Sequence, residues 1–80
     1  MVTTILRLPD VLRATGRSRS AQYLDIRQGL FTEPVQIGAR AVGWPAEEVA
    51  ALNAARIAGK SDAEIRELVT RLEAARKTAA

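Results

Sequence analysis

The chain has 80 residues, with 12 Lys plus Arg against 9 Asp plus Glu and a formal net charge of +3. That length fits one small domain with an economical core and leaves no room for a second. With neither Cys nor His, it lacks disulfide staples, thiolate ligands and the commonest general base and metal ligand, so no enzyme, metal site or cofactor is expected. Met1-Val2-Thr3-Thr4 has no charged segment before an apolar run, and no later run is long enough to span a bilayer, which predicts a soluble cytoplasmic protein without membrane contact.

Charge is unevenly spread. Residues 1–40 hold Arg7, Arg13, Arg17, Arg19, Arg27 and Arg40 against Asp10, Asp25 and Glu33, while residues 41–80 are balanced. The whole basic excess lies in the first half, which favours a polyanion facing it, and Arg suits bidentate bonding to phosphate or guanine.

Ile5, Leu6 and Leu8 form a short apolar lead-in compatible with a strand, before Pro9 and Asp10 start a first helix. Leu8, Val11, Leu12 and Thr15 fall at helical spacing, and Gly16 ends the helix. A second helix is predicted from the N-cap Ser18 to about Gln28, with Tyr23, Ile26 and Leu30 inward, Leu24 beside them, and Arg19, Ser20 and Arg27 outward. Phe31-Thr32-Glu33-Pro34 breaks the pattern. Val35-Gln36-Ile37 and Ala41-Val42 around Gly38-Ala39-Arg40 then read as a tight β-hairpin with Arg40 at its tip.

Trp44-Pro45 is expected to open a third helix with Val49, Leu52 and Ala55 buried, and Glu47 and Glu48 complementing its N-terminus. After Gly59, Ser61-Asp62-Ala63-Glu64 is a capping box that starts a fourth helix. Its stripe of Ile65, Leu68, Val69, Leu72 and Ala75 is too short for an independent coiled coil, and either packs on the domain or meets a second copy. The order predicts a mainly α fold with a small β-hairpin wing, a winged helix-turn-helix over residues 1–59, followed by a C-terminal amphipathic helix over 60–80 for packing or oligomerisation.

The run Arg7-Leu8-Pro9-Asp10-Val11-Leu12, then Thr15-Gly16, Ser18-Arg19-Ser20, Tyr23 and Ile26, continues through Gly29, Phe31, Pro34-Val35, Ile37-Gly38 and Arg40-Ala41-Val42-Gly43-Trp44 to Glu48-Val49. In order and spacing it resembles the AlpA-type prophage regulatory proteins, whose winged helix-turn-helix is similar to those of excisionases and MerR-like regulators. The resemblance covers about Ile5 to Gly59. It implies a DNA-binding transcriptional regulator of prophage or integrative-element genes, with Ser18, Arg19, Ser20 and Tyr23 in the recognition helix and Arg40 in the wing. Gln22, Leu24 and Asp25 stand where such proteins often carry an apolar, a basic and an apolar residue, and Glu33 and Gln36 replace commonly basic ones, which narrows the implied basic surface.

Arg17, Ser18, Arg19, Ser20, Tyr23, Arg27 and Arg40 are therefore the expected contacts to double-stranded DNA. Ser18 reads first as a cap, and Tyr23 as a ring packed on Ile26 whose hydroxyl reaches a phosphate. A tyrosine nucleophile needs a surrounding cationic cluster and a larger catalytic domain. Phe31 and Trp44 read as core, and Asp25, Glu47 and Glu48 as carboxylates on solvated helix faces or at a helix start. The narrowed basic surface points to binding as a homodimer or by cooperative assembly on DNA. Two rivals stay open: an excisionase that bends attachment-site DNA and assembles cooperatively along neighbouring sites, and an interaction module whose fourth helix docks an integrase or polymerase.

Overall fold

The structure, a computed structural model, describes residues 3–77. The expected ranges 1–59 and 60–80 extend beyond those residues at either end. Strand β1 (Ile5–Leu6) is followed by helices α1 (Leu8–Thr15) and α2 (Arg19–Arg27), strands β2 (Val35–Gln36) and β3 (Val42–Pro45), and helices α3 (Ala46–Ile57) and α4 (Asp62–Arg76). This mainly helical chain with a three-stranded antiparallel sheet is a winged helix-turn-helix.

Local chemistry sets the helix limits. Pro9 sits in the first turn of α1, and Asp10 in that turn is ion-paired with Arg13. Val11 is fully buried and Leu8, Leu12 and Thr15 are half-buried, so the inward stripe is the one the spacing gives. The Ser18 hydroxyl accepts the Ala21 N–H at 3.2 Å and opens α2. Gly29, at φ 76°, ends it, with the Leu30 N–H returning to the Asp25 carbonyl at 2.8 Å.

Strand order in the sheet is β1-β3-β2. Val35 lies opposite Gly43 and Gln36 opposite Val42, and the Ile37 N–H to Ala41 carbonyl bond, 2.9 Å, closes the wing loop. The third helix begins later than Trp44-Pro45: both residues belong to β3, and α3 starts at Ala46. The physical reason is a second pairing partner. Ile5 lies opposite Pro45 and Leu6 opposite Trp44, so β1 holds this segment extended. At Gly43 a Cβ would lie 2.9 Å from the Leu6 carbonyl oxygen, so β1 approaches β3 as closely as it does only because that residue is glycine.

Trp44 is fully buried at the centre of the core, with Val11, Phe31, Val49, Leu52, Ile65 and Val69 around it in one cluster. Burying an indole removes about 200 Å² from water, worth about 5 kcal/mol as an upper bound. Its N–H donates to the Thr32 carbonyl at 2.9 Å, and its ring meets Phe31 edge-on with centroids 6.4 Å apart. Helix α4 lies against its own domain, contributing Ile65 and Val69 to this core. Its stripe ends at half-buried Leu72, because Ala75 is exposed. No helix among the described residues is long and apolar enough to cross a membrane.

The capping box of α4 is complete: the Ser61 hydroxyl accepts the Glu64 N–H at 3.2 Å, and the Glu64 carboxylate accepts the Ser61 N–H at 3.0 Å. The bond from the Ser61 backbone, then that from its side chain, lowers the Glu64 pKa from its ordinary 4.5. A lowered folded-state pKa means stability that is present above about pH 4.5 and lost as pH falls through the folded value. Glu64→Gln keeps an acceptor without this titration. Urea midpoints of the two proteins are expected to run parallel from pH 7 to about pH 5, with the wild type falling more steeply below that; parallel curves throughout would contradict the assignment.

Candidate nucleic-acid interface

Helix α2 has two unlike faces. Arg19, Ser20, Tyr23, Leu24 and Arg27 are exposed, at positions that recur with the helical period, whereas Gln22 and Asp25 on the other side are buried. The inward stripe is thus Gln22 and Asp25 with half-buried Ile26, continued beyond the helix by Leu30, and not Tyr23, Ile26 and Leu30. Tyr23 is 38% exposed and Leu24 42%. The inner side of the helix is polar: the single Thr15 hydroxyl hydrogen is shared between the Val11 carbonyl at 2.9 Å and Gln22 Oε1 at 3.3 Å.

Asp25 is the second correction. It does not lie on a solvated face: at 4% exposure it receives Arg17 on Oδ1 at 2.9 Å and Arg56 of α3 on Oδ2 at 3.4 Å. Arg56 also donates to the Leu30 carbonyl at 3.4 Å. A carboxylate this buried requires paired charge, and two guanidinium groups supply it. The helix-turn-helix is thereby closed by ion pairs from the turn on one side and α3 on the other. Glu48 is likewise buried, at 5% exposure, with Arg76 donating Nε to Oε2 at 2.7 Å and Nη2 to Oε1 at 2.6 Å. This bond, the largest influence, raises the Arg76 pKa. Only Glu47 of the two stays exposed at the start of α3.

The seven expected contact residues fall into three groups. Arg19, Ser20, Tyr23 and Arg27 share the outer face of α2, and Arg40 is exposed in the wing loop. Arg19, Arg27 and Arg40 have no acidic partner among the described residues. Ser18 is occupied as a cap, and Arg17, its side chain 38% exposed, is paired with Asp25. Leu24 joins the outer face, although its expected place was beside the inward stripe; its i+4 spacing from the outward Ser20 was the available signal. Among the described residues no group of three or more His, Cys, Asp or Glu is placed to hold a metal ion.

A family model described as "Prophage CP4-57 regulatory protein (AlpA)" matches residues 4–57. The uncharacterized protein ORF88 of Enterobacteria phage P4 is 46% identical over 55 residues, a stretch covering 69% of this chain and 62% of that protein. The chain thus spans less than two thirds of this curated relative. No solved structure matches it.

The Arg17–Asp25–Arg56 arrangement makes a stability expectation. Asp25→Ala removes charged hydrogen bonds worth about 1.5–3 kcal/mol apiece, moderated because both arginines can regain water. A loss of about 2 kcal/mol in urea unfolding is expected, while a variant as stable as the wild type would show that the buried carboxylate contributes nothing.

Proposed function

The chain belongs to the AlpA family of prophage regulatory proteins, DNA-binding regulators in the general sense, and from that premise we propose that it is a sequence-specific transcriptional regulator of prophage or integrative-element genes. Helix α2 enters the major groove and the wing loop grips the adjoining backbone. The observation that carries this reading is the division of α2. Its carboxylate is withdrawn into the fold with two arginines, while Arg19 and Arg27 remain outward and unpaired beside Ser20, Tyr23 and Leu24. A polyanion meeting this face encounters donors and no carboxylate of the helix.

Each residue then has a role set by its chemistry. Arg19, in the first turn, reaches a guanine edge with two donors, and Leu24 offers apolar contact to a thymine methyl. Ser20 and Tyr23 give hydroxyls to phosphates, and Arg27 and Arg40 supply charge to the backbone. Ser18 fixes the helix start by accepting the Ala21 N–H, and Arg17 adds positive potential while held by Asp25. The role is binding without catalysis, in the cytoplasm where the element's DNA lies.

Footprinting of the purified protein on DNA spanning its own gene and the neighbouring integrase region, against unrelated DNA across a salt series, tests this. A protected, salt-sensitive site is expected. Arg19→Ala should weaken that site by about 1–3 kcal/mol and relax its sequence preference. Arg40→Ala should instead weaken all DNA alike and reduce the salt slope by about 1. A single palindromic promoter site supports the regulator, repeated close sites with strong bending point to an excisionase, and no preference at any salt contradicts operator binding.

A further inference from the structure

Among the described residues, α4 is the element that lies outside the family match at residues 4–57. We propose that α4 is a brace setting the spacing between α2 and the wing, with Arg66, Glu73 and Arg76 as positioning residues for DNA recognition. The inference rests on the reading of α2 and the wing as the DNA-contacting elements.

The bonds that carry it run to the two ends of one irregular segment. At its start, Arg66 donates Nε to the Gln28 carbonyl at 2.8 Å, giving the C-terminus of α2 the cation its orphan carbonyls favour. At its end, α4 holds both backbone groups of Glu33. The Glu33 N–H donates to Glu73 Oε2 at 2.8 Å, and the Glu33 carbonyl accepts Arg76 Nη2 at 2.7 Å. Glu33 is followed by Pro34 and then by β2, so this peptide is the root of the wing. Arg76 is itself fixed by the buried Glu48 carboxylate at the start of α3.

Ten residues separate Arg66 from Arg76, a rise of about 15 Å along a helix. A rigid helix thus spans the residues that join the reading helix to the wing, and grips them at both ends through bonds made by side chains. Residues 30–32 between these points are buried, so the segment is pinned at its ends and anchored in its middle. A chain held only at the middle would let α2 and the wing move against each other. Such motion reduces the fit to a particular site while leaving electrostatic attraction to any duplex intact.

The test uses the full chain with Arg66→Ala and Glu73→Ala together. One positive and one negative charge are removed, so net charge is unchanged, and the buried Glu48–Arg76 pair is left in place. Binding is compared on a duplex that the wild type enriches from a randomised pool and on a random-sequence duplex of equal length. The account expects a cooperative melt, amide exchange across residues 35–42 faster by about tenfold, and a specific-to-random affinity ratio lower by about fivefold to tenfold. The salt slope on random DNA should not move, which separates positioning from lost charge. An unchanged ratio or unchanged wing exchange overturns the brace. If the wild type enriches no sequence the DNA reading falls instead, and wing exchange, measured without DNA, still decides the brace. Should the pair fail to melt cooperatively, Glu73→Ala alone gives the same exchange readout.

Discussion

Everything in this fold is referred to Trp44. Its side chain is fully buried, its strand is paired on both edges, and its indole N–H reaches the Thr32 carbonyl at 2.9 Å. A buried indole donor without an acceptor would be costly, and so would a buried carbonyl at Thr32 without a donor. Each satisfies the other, and together they fasten the approach to the wing onto the central strand. Leu6 opposite Trp44 brings in the N-terminal strand, and the shared core brings in α1, α3 and α4. A domain of this size has few apolar side chains to spare, so one large residue contacting several elements does the work that a broader core performs in a longer chain.

The second layer of organisation is the sorting of arginines. Asp25 and Glu48 are buried, and each takes guanidinium partners from distant parts of the chain: Arg17 and Arg56 for one, Arg76 for the other. These pairs hold α2 against α3 and α4 against α3. They also withdraw two carboxylates from the surface, while Arg19, Arg27 and Arg40 are exposed and, among the described residues, make no ion pair. With a formal net charge of only +3, the location of the unpaired cations matters more for attracting DNA than the sum does. The same interactions that stabilise the fold thereby decide which charges are free for a phosphate or a base.

The element order, the ends of α1 and α2 and the starts of α2 and α4 were legible from residues adjacent in sequence: the Ser18 and Ser61 caps, Glu64 completing its box, and Gly16 and Gly29 at helix ends. The wing was legible from Val35, Gln36 and Val42 flanking a Gly38-Ala39-Arg40 turn. What escaped were the features made by remote partners. A periodicity argument assigns apolar residues to the inside, and so turned Tyr23 inward and Asp25 outward, whereas the inner face of α2 is made polar by Thr15, Arg17 and Arg56. Glu48 read as a helix-start charge because Arg76 is 28 residues away. Pro45 read as a first helical residue because nothing local announces that Ile5 will lie opposite it. The family resemblance pointed to α2 and the wing as the elements expected to meet DNA; Arg19, Ser20 and Arg27 were legible as outward from the sequence, and the fold added Tyr23 and Leu24 to that face.

The central claim is that the outer face of α2 and the wing loop meet DNA together. The most direct test is backbone chemical-shift mapping of the full chain titrated with a duplex carrying its footprinted site. The account requires the largest perturbations at residues 19–27 and 37–42, with the exposed side of α4 little changed. Perturbations concentrated on α4, or none at residues 19–27, would contradict it.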